Sequence, residues 1–343
     1  MRPHEVSIAD IARIAGVSHT TVSRALRESP LISSETRARI QRLASEMGYT
    51  PNAIAQSLHT KQTSTIGLVV TSIADPFFGD VVKGVEEVAR ASGFSVLLSA
   101  SYNNPEETLD IIETFHRRRV DGILVASSRI SEDYGRRLHH THIPTVLINS
   151  EVEGQANLLH WISVDDCQGA QLAVNHLLQL GHRAIGYLGC HSRPASNLQR
   201  QQGYLNALRA AGIEPSPSWV VIPPGAEASQ EEDLSAGQHA LSPLLEAGVT
   251  AIFCYNDMTA IGMLTSCHAR GIAVPQDLSI IGFDDITIAS CVTPPLTTIH
   301  QPRVELGRLA TQVMLDLLQS RPGANHTLSP TLVLRTSTAP LSK

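Results

Sequence analysis

The chain has few aromatic residues, no long apolar run and no paired cysteines, and each shortage excludes a class of protein. Phe, Tyr and Trp make up 4% of its 343 residues. That disfavours an aromatic-rich all-β module and favours an aliphatic α/β core. No apolar run reaches the roughly 18 residues of a membrane-spanning helix. The opening stretch MRPHEVSIADIARIAG is polar and amphipathic, without the apolar segment of a secretory signal. Cys167, Cys190, Cys254, Cys267 and Cys291 are odd in number and lack CxxC spacing. They read as reduced thiols, mostly in the core of a cytoplasmic protein. There is no glycine-rich phosphate loop, HExxH or GxSxG motif. No catalytic residue, cofactor or metal ion is therefore expected, and the chain is not expected to be an enzyme. Asp165-Asp166 and Asp284-Asp285 resemble acid/base pairs, but adjacent side chains point apart.

An overall excess of positive charge is also missing: the net charge is −6. The distribution matters more than the sum. Residues 1–61 carry eight Lys and Arg against five Asp and Glu, a net of +3, and the remaining 282 residues carry 18 against 27, a net of −9. A basic N-terminal piece on an acidic body points to a nucleic-acid partner for the first piece only.

That piece reads as three short helices. Ser7 followed three residues later by Asp10 forms a capping-box pattern. Ile8, Ile11, Ala12 and Ala15 then share one helical face, and Gly16 ends the helix. Ser18 caps a second helix, His19–Leu26. A third follows Ser33, with Ile40, Leu43, Ala44 and Met47 on one face. Two helices joined by a glycine turn and closed by a third make a helix-turn-helix headpiece. On its second helix, His19, Thr20 and Arg24 are candidate readers of base edges, Arg being the usual partner of guanine. Thr20, Thr21 and Ser23 are small enough to let the helix sit deep in the groove and bond phosphates, and the cap Ser18 is counted with the DNA-binding residues. On pattern alone, these residues also fit the solvated face of any small bundle. Pro51–Leu58 could start a helix, but one too short to be stable alone.

The stretches IADIARIAGVSHTTVSRAL and SSETRARIQRLASEMGYTPNAIAQSL together resemble the headpiece and hinge of LacI-type repressors, the lactose/galactose repressor family. The resemblance implies that Ser18–Leu26 is the recognition helix. It also implies that residues 51–58 form a hinge helix entering the minor groove, with Asn52 and Ala55 facing DNA and Leu58 as a wedge between base pairs.

From Thr65 onward, short apolar strands alternate with amphipathic helices. This is the pattern of parallel βαβ units, and the length favours two lobes over one sheet. Strands are expected at 66–70, 95–99, 122–126, 145–148, 162–164, 184–189, 251–254 and 279–283. Parallel sheets bind ligands beyond the carboxyl ends of their strands. The segments there mix aromatic, Asp, Asn and Arg residues, which suits a polyhydroxylated ligand. Asp165, Asp257 and Asp285 also fit as helix caps.

The core stretches DPFFGDVVKGVEEVARASGFSVLL, AIFCYNDMTAIGML and DLSIIGFDDITIASCVTPPLTTIHQP resemble the same family. The resemblance implies two periplasmic-binding-protein-like lobes, with Phe77, Phe78, Asp165, Arg200, Asn256, Asp284 and Gln301 at the effector cleft. The expected domains are a headpiece at 1–50, a hinge and linker at 51–64, and a core at 65–343. One lobe would hold 65–160 and 291–320, and the other 161–290 and 321–343, with crossings near Trp161, Ile288–Thr293 and Ser320–Ser329. The Pro/Gly/Glu-rich 223–236 stretch departs from the family pattern. The expected function is a sequence-specific transcription regulator, a repressor that binds a near-palindromic operator as a homodimer. A small ligand would switch it, with a sugar expected and a nucleoside or purine as the alternative. An activator or corepressor mode of the same fold is also open. A transporter-linked sugar-binding protein and a sugar-converting enzyme are the rivals. Neither accounts for the headpiece.

Overall fold

The computed structural model describes residues 6–49, 62–102, 104–126, 143–149, 159–223 and 230–341. The chain divides into two compact units, Met1–Thr63 and Ser64–Lys343.

The first unit contains helices α1 (Ile8–Ala15), α2 (His19–Leu26) and α3 (Ser34–Glu46). Each start is capped by a serine: Ser7, Ser18 and Ser33 accept the backbone N–H of Asp10, Thr21 and Thr36. Asp10 completes a reciprocal capping box with Ser7. Gly16 ends α1 at φ 65°, a left-handed conformation that costs glycine nothing. Ile11, Val22, Ala25, Ile40 and Ala44 fill the small core. Full burial of each Ile or Val stabilises by about 1.5–3 kcal/mol, so few such residues hold the unit. Arg39 ties α3 back to α1 by donating to the Ala15 carbonyl at 3.1 Å.

The second unit is two lobes, each a parallel sheet covered on both faces. The first sheet has the order β11-β5-β4-β3-β1-β2. Its strands are β1 (Thr65–Val70), β2 (Ser95–Ala100), β3 (Gly122–Ala126), β4 (Thr145–Ile148), β5 (His160–Val164) and β11 (His326–Leu328). Alternate side chains go to opposite faces. Leu68, Leu124 and Val146 pack under α4 (Pro76–Ala91) and α10 (Arg303–Leu318), and Val69, Ile123 and Leu147 pack under α5 (Pro105–Arg117). α4 and α10 touch backbone to backbone. A Cβ on Gly84 would lie 2.0 Å from the Val304 carbonyl oxygen, and one on Gly307 would lie 2.2 Å from that of Val81.

The second sheet has the order β7-β6-β8-β9, from β6 (Ile185–Leu188), β7 (Val220–Val221), β8 (Ala251–Cys254) and β9 (Ser279–Ile281). Helices α6 (Asp166–Gln179) and α7 (Pro194–Ala210) cover one face, and α8 (Gln230–Glu246) and α9 (Asp257–Ala269) cover the other. A two-stranded ribbon of β10 (Thr298–His300) and β12 (Thr331–Val333) continues this lobe, with the Gly282 and Asp284 N–H groups donating to the Thr297 and Ile299 carbonyls.

The expected lobe boundaries are corrected. The chain crosses between lobes at 164–166, 300–303 and 328–331, not near Ile288–Thr293. β5 and β11 pair with each other in the first sheet, so 161–164 and 321–328 belong to the first lobe. The segment 291–300 belongs to the second, where Thr297 and Thr298 are fully buried. A three-residue strand with a single apolar residue, Ile299, carries too little apolar pattern to be placed from sequence. The 223–236 stretch, set apart in sequence by its Pro/Gly/Glu-rich departure from the family pattern, leads into a helix over Gln230–Glu246. A polar first turn of Glu231, Glu232 and Asp233 reads as a loop but suits a helix N-terminus.

In both sheets the strand order reverses once. In the first lobe it reverses between β1 and β3, and in the second between β6 and β8. Such switch points leave a crevice at the strand carboxyl ends. Among the described residues, no helix is long and apolar enough to cross a membrane.

Candidate functional sites: a recognition helix and an interlobe cleft

Helix α2 turns Val22 and Ala25 inward, and this rotation puts His19, Thr20 and Arg24 on the exposed side. Ser18 and Thr21 pair hydroxyl to hydroxyl at 2.8 Å. The Ser23 hydroxyl accepts from Arg27 at 2.8 Å, and the Ser23 carbonyl accepts from the same guanidinium. Sequence reasoning missed Arg27. It lies one turn beyond Ser23 and adds a positive charge to the same helix face. Asn52, Ala55 and Leu58 lie outside the described residues.

The cleft lies where the two switch points face each other. The first lobe contributes Thr71 after β1, Ala126 at the end of β3, and Ile148 and Asn149 at the end of β4. The start of α4 adds Asp75, Phe77 and Phe78. Asp75 is the N-cap of α4 and accepts from Phe77 N–H at 3.0 Å. The two phenyl rings meet edge to face, 5.2 Å between centroids. The second lobe contributes Arg193, Ser196 and Arg200 from one face of α7, Tyr255 and Asn256 after β8, and Asp284 after β9.

Almost every polar group in the cleft is engaged. The Arg200 guanidinium donates through Nε to Asp166 at 2.8 Å and through Nη1 to the Tyr255 carbonyl. It is stacked between rings, 3.7 Å from the centroid of Phe283 and 4.4 Å from that of Tyr255. Ser196 and Tyr255 share a hydroxyl hydrogen bond of 2.6 Å. Asn256 caps α9 with its side-chain oxygen, and its amide donates to Asp233 of α8 at 2.8 Å. Asp284 sits at φ 115°, a conformation rare outside glycine and a form of strain that collects at functional sites. Burial foremost raises its carboxyl to about 7, against the pull of Arg200 and Arg303. Asp285 turns the other way, to His300 at 2.9 Å and Arg335 at 2.6 Å, so the two acids do not act as a pair.

Of the seven core residues singled out from sequence, Phe77, Phe78, Arg200, Asn256 and Asp284 line one cavity, and Asp165 and Gln301 do not. Asp165 caps α6, accepting from Gln168 N–H at 2.7 Å. Its neighbour Asp166 is the residue that reaches Arg200. Gln301 is fully buried and donates to Asp284 at 2.5 Å, so it holds a cleft residue from behind. Asp257 is not a cap either: Asn256 holds that position, and Asp257 accepts from Thr298 and the Ile286 N–H. Asp75, Asn149, Arg193, Ser196, Tyr255 and Asp233 were missed as individual residues. Asp75, Arg193, Ser196 and Tyr255 fall in segments flagged after strand ends, whereas Asp233 rides on α8.

Residues 7–52 match the model of the bacterial regulatory proteins of the lacI family, and residues 174–338 match a periplasmic binding protein-like domain. The HTH-type transcriptional regulator GalS of Salmonella typhimurium is 39% identical over 97% of this chain and 97% of its own length.

The chain belongs to the LacI family.

It is a transcription regulator with a DNA-binding helix-turn-helix unit and an effector-binding core. The regulator superposes on the lac repressor dimer bound to operator and the anti-inducer ONPF with a TM-score of 0.86, at 28% identity, covering 98% of this chain and 99% of that one. A LacI-family regulator from Enterococcus faecium with bound ribose superposes at 0.70, with 29% identity over 81% of this chain and 100% of that one.

Proposed function

We propose that the regulator is a repressor that binds a near-palindromic operator as a homodimer in the cytoplasm, and that an unmodified sugar in the interlobe cleft switches it. It performs no catalysis. The observation that carries this reading is the pairing of the two phenyl rings of Phe77 and Phe78 with Asn149, Asn256, Arg200 and Asp284 around one cavity at facing switch points. Aromatic faces cover sugar C–H groups, and the forked polar groups exchange hydrogen bonds with hydroxyls. Two solved neighbours support the same ligand class, one holding ribose and the other a CelR–cellobiose complex, while the PurR relative of Photobacterium profundum, 32% identical over 98% of this chain, keeps a purine as the alternative.

On the DNA side, His19, Thr20 and Arg24 read base edges, while Ser18, Thr21 and Ser23 sit against the phosphates. Asn52 and Ala55 face the minor groove and Leu58 enters it as a wedge. A C2 dimer places two recognition helices on two half-sites. Ligand binding changes the relation of the lobes and so shifts the equilibrium between dimer states of different operator affinity. About 1–3 kcal/mol of coupling gives a working switch.

Selection of DNA sites by the purified regulator, with and without D-ribose, D-galactose and cellobiose, tests both halves. The expected outcome is an enriched near-palindrome whose enrichment changes with one of the sugars. Arg24→Ala should lose about 1–3 kcal/mol of discrimination at one symmetric base position. No enriched site, or full site preference in the Arg24 variant, would overturn the DNA assignment.

A further inference from the structure

The N-cap of α7 breaks a local rule. Helix starts prefer a short side chain that accepts from the first turn. Four helices that follow strand ends obey, with Asp75, Asn104, Asp165 and Asn256 each capping its own helix, while α10 opens on Pro302, which has no side chain to accept with. Arg193 occupies that position in α7 and makes no capping bond. A residue that forgoes a local gain is committed elsewhere.

Its commitment spans the cleft. Arg193 is 8% exposed. Nη1 donates to both oxygens of Asp233, at 3.1 and 2.9 Å, and Nη2 donates to Asp75 at 3.1 Å. Asp233 belongs to the second lobe and Asp75 to the first, so one guanidinium joins the two walls. Burial foremost raises the Asp75 carboxyl, partly offset by Arg193. The cavity beside this bridge measures about 40 Å³, whereas small-molecule sites run to roughly 300 Å³ or more. A sugar that fills it displaces part of the lining, and Arg193 with Asp75 is the part that joins the two lobes.

We propose that Arg193 is the gate of the cleft and sets its charge preference. The proposal rests on the sugar reading above and narrows it to uncharged sugars. A ligand enters by parting Arg193 from Asp75 and bonding to both. A vicinal diol suits that exchange, because each hydroxyl can donate to the Asp75 carboxylate and accept from the guanidinium. A phosphate ester does not. One cation here faces two carboxylates, so an added dianion meets Asp75 and Asp233 with no uncommitted charge to balance it. The other cleft cation, Arg200, is held by Asp166 at 2.8 Å and lies 3.8 Å from Asp284. Asp75 and Arg193 are positioning and specificity residues for the ligand.

Two variants of the full-length regulator test this. Asp75→Asn removes the charge and keeps a side chain able to cap α4, and Arg193→Gln removes the cation. The first measurement needs no ligand. Spin labels at Glu113→Cys on the first lobe and Arg209→Cys on the second, with exposed Cys291 replaced by Ser, report the interlobe distance in protein diluted with unlabelled chain. Both variants should shift that distribution to longer distances, and an unchanged distribution in both would overturn the gate. The second measurement is calorimetric titration with D-ribose, D-galactose and cellobiose, set against D-ribose 5-phosphate, D-galactose 1-phosphate and inorganic phosphate. The unsubstituted regulator should bind a free sugar in preference to its phosphate ester, and Asp75→Asn should narrow that preference at least tenfold. A regulator that prefers the ester, or an unaltered preference in Asp75→Asn, would overturn the charge rule. If none of the free sugars binds, the sugar reading fails, and the distance measurement still decides the gate.

Discussion

The headpiece and the cleft use polar side chains in opposite ways. On α2 the residues proposed to read DNA, His19, Thr20 and Arg24, face solvent, where DNA would supply their partners. In the cleft, Arg193, Arg200, Asn256 and Asp284 are 8% exposed or less and already bonded within the core, Arg193 and Asn256 to Asp233, Arg200 to Asp166 and Asp284 to Gln301. A partner binds the first region by adding interactions and the second by exchanging them. Substitutions on α2 should therefore change binding and spare folding. Substitutions in the cleft should change both.

Arg200→Leu tests that contrast most severely. It strips the stacked cation from Asp166 and breaks a buried ion pair. Removing one member of a buried pair costs about 3–5 kcal/mol, and denaturant unfolding of the core should lose that much. Arg24→Ala on the headpiece should leave the same transition in place. A core loss below about 1 kcal/mol would mean that Asp166 recovers water, and the exchange picture of the cleft would fail.

Asp284 predicts a pH effect whose sign is fixed. Its folded pKa is raised to about 7, chiefly by burial, while an unfolded Asp titrates near ~3.9. Between those values the folded chain binds more protons than the unfolded one. The contribution of Asp284 to stability is therefore fully present at low pH and falls as pH rises toward about 7, by at most about 1.4 kcal/mol per pH unit. Asp284→Asn keeps an acceptor for Gln301 and tolerates the positive φ. It should flatten that slope. A slope unchanged in the variant would assign the proton to another group.

The same contrast explains what the sequence made legible. In the headpiece, Ser7, Ser18, Ser33 and Gly16 act on their own helix within four residues, so the pattern of the chain and the structure coincide. The βαβ alternation of the core was legible for the same reason, since apolar strands such as Gly122–Ala126 carry their signal locally. The cleft was legible where a residue follows a strand end, as Phe77, Asn256 and Asp284 do. It was not legible where contact depends on distant packing. Asp233 reaches Arg193 and Asn256 only because α8 forms from a stretch with a loop-like composition. Asp165 and Asp166 are adjacent in sequence with nothing local to distinguish them. Helix phase makes the first a cap and turns the second toward Arg200.

The smallest expected effect separates folding from reading within the headpiece itself. Ser7 and Ser18 make the same local bond, each accepting an N–H of its own helix, from Asp10 at 3.3 Å and from Thr21 at 3.1 Å. Losing either cap should cost about 1 kcal/mol of headpiece stability, so Ser7→Ala and Ser18→Ala should unfold the headpiece at similar denaturant concentrations. Their DNA binding should differ. Ser18 starts the exposed helix, and its loss also frees the Thr21 hydroxyl from its 2.8 Å pairing, which disturbs the phosphate-facing edge of α2. Ser7 starts a helix that bears none of the assigned reading residues. Operator affinity measured under conditions where both variants are fully folded should fall for Ser18→Ala and hold for Ser7→Ala. Equal affinities would reduce Ser18 to a cap and leave DNA contact to the residues that follow it.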